Sequence, residues 1–233
     1  MENSEDLTIT QTKGFKEGIR ASLPIVTGYV PIAIAYGVLG VKSGIPASAI
    51  VAMSIFIYGG ASQFMAITLF LAGTAPIEMA IATGMLNIRH FVMELSFHKN
   101  LEAGFMDKVL TSLGLTDETF AFLALESSPS PDYSKGVMLS SYLSWIGGTV
   151  IGALSGNFIP EVVSKGMSIG LYTLFITLLV SALRGRLRLI FIPLTGMLVN
   201  SVVSRFLSPG MSILISITLA SLVGAWFGGE SIE

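Results

Sequence analysis

The stretch Ile45–Ala72 reads IPASAIVAMSIFIYGGASQFMAITLFLA, an apolar run interrupted only at Tyr58-Gly59-Gly60-Ala61-Ser62-Gln63. A helix needs about 20 apolar residues to cross about 30 Å of hydrocarbon, so this run is longer than one crossing requires. Paired glycines weaken a helix by about 1 kcal/mol each relative to alanine. Together these features predict a helix broken within Tyr58–Ser62 near mid-membrane, with a second half starting around Ala61. Free N–H groups at that start, helped by Ser62 and Gln63, suit a substrate carboxylate. The alternative is that Gly59 and Gly60 merely permit close packing, with Gln63 bonding a neighbouring helix.

The rest of the chain has the same character. Of its 233 residues 52% are hydrophobic, 12% are charged and none is cysteine, and the mean hydropathy is +0.76. Soluble domains carry about 25% charged residues, so too few are present here to solvate a globular surface. The net charge of −2 argues against nucleic acid as a partner. Without cysteine there is no disulfide scaffold, thiolate catalysis or cysteine-ligated metal. The composition defines an all-α integral membrane protein whose environment is the lipid bilayer.

Residues 1–20 are polar and mixed in charge, and read as a retained tail. Apolar runs follow at Ala21–Val41, Ile45–Ala72, Pro76–Phe97, Gly136–Phe158, Met167–Leu183, Leu187–Leu207 and Met211–Phe227. Gly104–Ser127 is split by Thr116-Asp117-Glu118-Thr119, where Thr116 reads as an N-cap with acids in the first turn. Two short amphipathic helices explain that stretch better than a crossing, because each centred acid would cost roughly 2.5–3.5 kcal/mol. Seven crossings are therefore expected, with eight the alternative.

A constant offset lays Ile34, Val38, Gly40, Ser43 and Gly44 on Ile146, Val150, Gly152, Ser155 and Gly156, and Thr83–Leu86 on Thr195–Leu198. The expected organisation is a tail (1–20), a three-helix unit (21–97), an amphipathic connector (98–132), a related three-helix unit (133–207) and a terminal helix with a short tail (208–233). The units would be inverted if Gly104–Ser127 does not cross and parallel if it does, both arrangements being found in secondary transporters.

Orientation is only partly fixed. Seven crossings with the N-terminus outside give the cytoplasm Lys42, Lys99, Lys108, Lys135, Arg184, Arg186 and Arg188. Eight crossings with the N-terminus inside give it Lys13, Lys16, Arg20, Lys135 and the same three arginines. The positive-inside rule does not separate equal counts. Both courses place Arg184–Arg188 and the C-terminus in the cytoplasm.

Polar residues inside a bilayer pair or face water, and are functional candidates. The third run carries Asn87, Arg89, His90, Glu94 and His98. Arg89 could hold a carboxylate or lock helices together through carbonyls. His90, Glu94 and His98 recur at i, i+4, i+8, a face that could relay protons or, for Glu94 and His98, mark the helix's interfacial end. No further ligand cluster accompanies them, so no metal site is expected. Pro24, Gly28 and Pro31 kink the first run, and Pro31 frees a carbonyl at a depth where it must face protein or a water-filled cavity. Asn200 is the lone amide-bearing residue of its segment. No phosphate-cradling GxxxxGK[ST] loop and no hydrolytic constellation is present, so neither an ATP-driven pump, an enzyme nor a cofactor is expected.

The stretch Leu23-Pro24-Ile25…Gly28-Tyr29, then Ala61-Ser62-Gln63-Phe64, then Asn87-Ile88-Arg89-His90 resembles the AzlC-type azaleucine-resistance permeases, in pattern from about residue 14 to the C-terminus. The resemblance implies a multi-pass permease of a prokaryotic cytoplasmic membrane that exports branched-chain amino acids with a small AzlD-type membrane subunit. It supplies no binding residues and does not extend to Glu94 and His98. On chemical grounds, Arg89 or the half-helix start (Gly59, Gly60, Ala61, Ser62) could take a carboxylate. Asn87, Gln63 and carbonyls near Pro31 could take an ammonium. Proton coupling is the expected energy source, with His90 and Glu94 as candidates. The rival readings are a channel for a small polar solute and a non-transporting membrane subunit.

Overall fold

The computed structural model describes residues 13–99, 101, 103–126, 129–156, 158–160, 176, 179–180, 183 and 187–228. The N-terminal tail, Arg184, Arg186, the C-terminal tail and most of the Met167–Leu183 run lie outside them. Every element among the described residues is helical. In chain order they are α1 (Phe15–Ala21), α2 (Leu23–Lys42), α3 (Ala47–Phe56), α4 (Gly60–Leu71), α5 (Pro76–Lys99), α6 (Phe105–Leu113), α7 (Asp117–Leu123) and α8 (Pro131–Ser155). A 3-10 turn (Leu187–Ile190), α9 (Phe191–Val203) and α10 (Pro209–Gly228) complete the series.

By length and composition α2, α8 and α10 are each apolar and long enough to cross a membrane. Large apolar side chains stand exposed along the helices, among them Phe56, Phe91, Leu154, Phe191 and Trp226. Such surface suits contact with acyl chains rather than water. The count of seven or eight crossings does not follow from helix lengths alone.

The described residues form two compact units. One joins residues up to Gly28 with His90–Ser144. In it, α1 lies along the start of α8, with Gly136 against the backbone of Phe15 and Ile19 and Gly18 against that of Tyr133 and Val137. The Ser22 and Ser140 hydroxyls, 2.5 Å apart, continue that pairing in the same direction. The Gly104–Ser127 stretch forms α6 and α7 as two short helices. Thr116 caps α7, accepting from Thr119 N at 3.3 Å while Thr116 N donates to Thr119 Oγ1 at 2.8 Å. Asp117 and Glu118 occupy its first turn, where the helix dipole favours negative charge. Lys135 holds Asp107 at 2.9 Å and Asp132 at 2.7 Å.

The other unit joins Tyr29–Arg89 with the residues from Trp145 onward. Its centre is a seam between α2 and α8. A Cβ on Gly37 would strike the Thr149 carbonyl oxygen and the Ala153 nitrogen, one on Gly148 would lie 2.7 Å from Ala33 Cβ, and one on Gly152 would strike the Ile34 carbonyl. Small residues of this kind let membrane helices approach backbone to backbone. Pro24 sits in the first turn of α2, where its missing N–H costs nothing. Pro31 lies inside α2, which continues through it as one helix to Lys42.

α10 folds back along α9. Ser212 Oγ donates to Asn200 Oδ1 at 2.6 Å, and Gly224 sits against Ile192. At the start of α10, Ser208 Oγ donates to Glu78 Oε2 at 2.6 Å and Gly210 lies against Thr74 and Glu78.

Candidate functional site

The Ile45–Ala72 run is broken where the sequence places the break, but the glycines do not supply its unusual backbone. α3 ends at Phe56 and α4 begins at Gly60. The residue between them in the left-handed region is Tyr58, with φ +43. Gly59, the N-cap of α4, has φ −128 and ψ 87, which other residues adopt. A left-handed conformation at a bulky residue costs on the order of 1–3 kcal/mol and persists only where surrounding packing enforces it.

The glycines instead serve close approach. A Cβ on Gly60 would lie 2.9 Å from the Trp145 ring, and one on Gly59 would lie 2.6 Å from Ser62 Oγ and 3.1 Å from Asn87 Oδ1. Break and close packing, alternatives on the sequence, thus coincide at this turn.

Glycine brings no capping side chain, and Gly59 makes no side-chain cap bond to the first turn of α4. Ser62 Oγ donates to Gly59 O at 2.8 Å and Gln63 N donates to the same oxygen at 2.9 Å. The N–H groups of Gly60, Ala61 and Ser62 form the positive end of the α4 dipole. Beside Gly59 the Asn87 Oδ1 atom is buried and has no hydrogen-bond partner among the described residues. Leaving a buried acceptor unsatisfied costs about 1–3 kcal/mol, so such a group calls for an explanation.

Gln63 is fully buried and held from both ends. Trp145 Nε1 donates to its Oε1 at 3.0 Å, and its Nε2 donates to Ser54 Oγ at 2.9 Å. Indole N–H is only a donor, which fixes which end of the amide faces Trp145. Ser54 and Thr149 hydroxyls stand 2.8 Å apart, and Thr149 Oγ1 donates to the Trp145 carbonyl at 2.9 Å. The donors thus run in one direction around a ring that ties α3 and α4 to α8. Tyr36 stacks on Trp145 with centroids 6.3 Å apart and meets Phe64 edge-on at 5.3 Å, while Tyr29 meets Trp145 edge-on at 5.3 Å.

Of the residues singled out from sequence, Gly59, Gly60, Ala61, Ser62, Gln63 and Asn87 meet around this turn. Arg89 lies half-buried two residues further along α5. His90 and Glu94 are half-buried on α5 in the other compact unit. His98 Nε2 lies 3.2 Å from Thr111 Oγ1 in the last turn of α5, as suits the end of a helix. Sequence alone does not single out Trp145, Ser54 or Thr149. Their only sequence signal is a tryptophan with a hydroxyl at i+4 inside an apolar run.

The architecture and this polar turn define a polytopic α-helical membrane protein. The AzlC protein family model matches residues 24–159. A membrane protein of Archaeoglobus fulgidus is 31% identical over 77% of this chain and 80% of its own. The inner membrane protein YgaZ of Escherichia coli is 34% identical over 61% of each chain. The branched-chain amino acid transport protein AzlC of Bacillus subtilis is 26% identical over 71% of this chain and 66% of its own. No solved structure matches the chain. The chain belongs to the AzlC family.

Proposed function

We propose that this chain is the large subunit of a secondary transporter that exports branched-chain and similarly apolar amino acids across the cytoplasmic membrane. Membership of a family that includes a branched-chain amino acid transport protein supports the substrate class. The observation that supports the reading at the level of residues is the turn itself: a glycine-capped helix start beside a buried, unsatisfied Asn87 oxygen. An amino acid offers the complement of that pair, a carboxylate for the N–H groups of Gly60, Ala61 and Ser62 and an ammonium for Asn87 Oδ1. Arg89, the alternative group for the carboxylate, lies two residues along α5 and so on a different face from Asn87. Gln63 positions the start of α4 through Trp145 and Ser54. Phe64 and Tyr36 give an aliphatic side chain apolar surroundings.

Export, proton coupling through His90 and Glu94, and a small AzlD-type partner are part of the same proposal. So is a cytoplasmic C-terminus, from Arg184, Arg186 and Arg188. The test is efflux of preloaded leucine, valine and methionine from cells expressing the chain with and without the small subunit. Saturable efflux that needs both chains and stops when the proton gradient is collapsed is expected. Efflux equal to that of cells lacking the chain would overturn the proposal.

A further inference from the structure

We propose that α6 lies in the headgroup layer of the membrane, with its outward apolar face on acyl chains and the basic side chains around it binding anionic phospholipid. The placement needs only a chain that crosses the bilayer, whatever it carries.

α6 is amphipathic with its apolar face outward. At the helical repeat Phe105, Met106, Val109, Leu110 and Leu113 share one side. All five are exposed, Phe105 by 81% and Leu113 by 71%. The polar side turns inward. Thr111 is fully buried with Oγ1 3.2 Å from His98 Nε2, and Asp107 is held by Lys135 at 2.9 Å. The end of the His90–Glu94–His98 face thus serves α6, because His98 meets its polar side. In water the outward side would be an apolar patch of a kind that soluble monomers rarely show.

α8 sets the depth. Its charged residues, Asp132 and Lys135, lie in its first two turns, and Gly136–Ser155 carries none. That uncharged length rises about 30 Å, the thickness of the hydrocarbon, so Lys135 stands at its boundary with the headgroups. Both ends of α6 are tied to one turn of α8, Asp107 to Lys135 and the C-cap Gly114 against the Met138 side chain. From Asp107 to Gly114 the chain rises about 10.5 Å, while from Lys135 to Met138 α8 rises about 4.5 Å. α6 therefore runs across α8 at that boundary instead of descending beside it.

Charge identifies what covers the outward face. α1 lies at the same level, with Gly136 against the backbone of Phe15 and Ile19, whose side chains are also exposed. The acids near α1, α6 and the start of α8 are engaged. Asp107 and Asp132 hold Lys135, Glu126 holds Lys13, and Glu17 accepts from Gly14 N. Asp117 and Glu118 open α7, where the dipole favours them. Lys16 and Arg20 on α1, Lys99 at the end of α5 and Lys108 on α6 make no ion pair among the described residues.

Cations beside outward apolar side chains complement a phosphate layer over acyl chains, the long stems lying along the apolar surface while the charges reach the headgroups. A hydrophobic protein neighbour would cover the apolar face and leave these charges without anions.

The absence of cysteine gives a clean background for the test. Leu110→Cys and Leu113→Cys on α6, with Leu143→Cys as a reference exposed inside the α8 span, are labelled with bimane. Each is reconstituted into vesicles of phosphatidylcholine and phosphatidylglycerol that carry a nitroxide on the headgroup, high on the acyl chain or low on it. The α6 labels should be quenched most by the headgroup or high nitroxide, and the Leu143→Cys label most by the low one. Strongest quenching of the α6 labels by the low nitroxide would put α6 in the membrane interior. Quenching by aqueous iodide instead of lipid would put it in water, and quenching by neither would put it under protein. Each of these results would overturn the placement. The unaltered chain gives a second reading that needs no label. Its Tm in nanodiscs should be several degrees higher with phosphatidylglycerol than in phosphatidylcholine alone, and Lys16→Gln, Arg20→Gln and Lys108→Gln combined should remove the difference. Equal Tm in both lipids, or a difference that the triple variant keeps, contradicts the anionic site.

Discussion

Glycine does two different jobs in the α2–α8 seam and at the α3–α4 turn. In the seam, Gly37, Gly148 and Gly152 let two uninterrupted helices touch backbone to backbone. At the turn, Gly59 and Gly60 also admit close neighbours, Asn87 and Trp145, but the helix is interrupted there and the left-handed residue is Tyr58. A glycine pair in an apolar run therefore does not say by itself whether the helix continues. The neighbouring polar groups do. Along α8, serine hydroxyls satisfy carbonyls of their own helix, as Ser155 does at Ile151. At the turn, Gln63 reaches across elements and Asn87 keeps an unsatisfied oxygen.

The largest effect is expected in the seam. Gly37→Leu places a side chain against backbone atoms of α8 that cannot rotate away. Overpacking costs about 1–3 kcal/mol even where neighbours adjust, and more where they do not. Size-exclusion chromatography in detergent should show loss of the monodisperse peak. Gly147→Ala, on the same helix but facing open space, should keep that peak and raise the Tm slightly, since alanine in a helix gains about 0.5–1 kcal/mol over glycine. Equal behaviour of the two variants would break the seam half of the comparison.

At the turn the effects should separate transport from folding. Arg89→Lys keeps the charge and loses the planar fork that binds a carboxylate bidentately. Leucine efflux should fall to background while protein level and partner association stay near normal. A fall in folded protein instead would make Arg89 a structural lock, and normal efflux would move the carboxylate wholly to the start of α4. A smaller effect is expected for Gln63→Leu, which leaves Trp145 Nε1 without its acceptor. A buried donor left in this way costs about 1–3 kcal/mol. The Tm should drop by several degrees, and an unchanged Tm would contradict the ring described for Gln63.

The sequence makes the membrane class legible through composition, and the α6–α7 connector through Thr116 and the acids after it, because both are local properties. The break at Tyr58–Gly59 is legible for the same reason. Its direction is not, because a turn that kinks a crossing and a turn that reverses it look alike in hydropathy. The contacts around it, Ser54 with Gln63 and Gln63 with Trp145, are made only by folding. Trp145 stands 82 residues from Gln63, and nothing in either segment points to the other.

The most direct test of the proposed site uses Trp145, which lies against Gly60. The chain has two tryptophans, and the other, Trp226, is 82% exposed on α10. In purified Trp226→Phe protein, with the small subunit proposed above, Trp145 is the sole tryptophan of this chain. A second sample with a tryptophan-free small subunit isolates its signal. Leucine should shift the Trp145 emission saturably, and Asn87→Ala should weaken the apparent affinity at least tenfold without changing the unliganded spectrum. A preparation that transports leucine while its Trp145 emission stays unchanged, with or without Asn87→Ala, would contradict placement of the substrate at the start of α4.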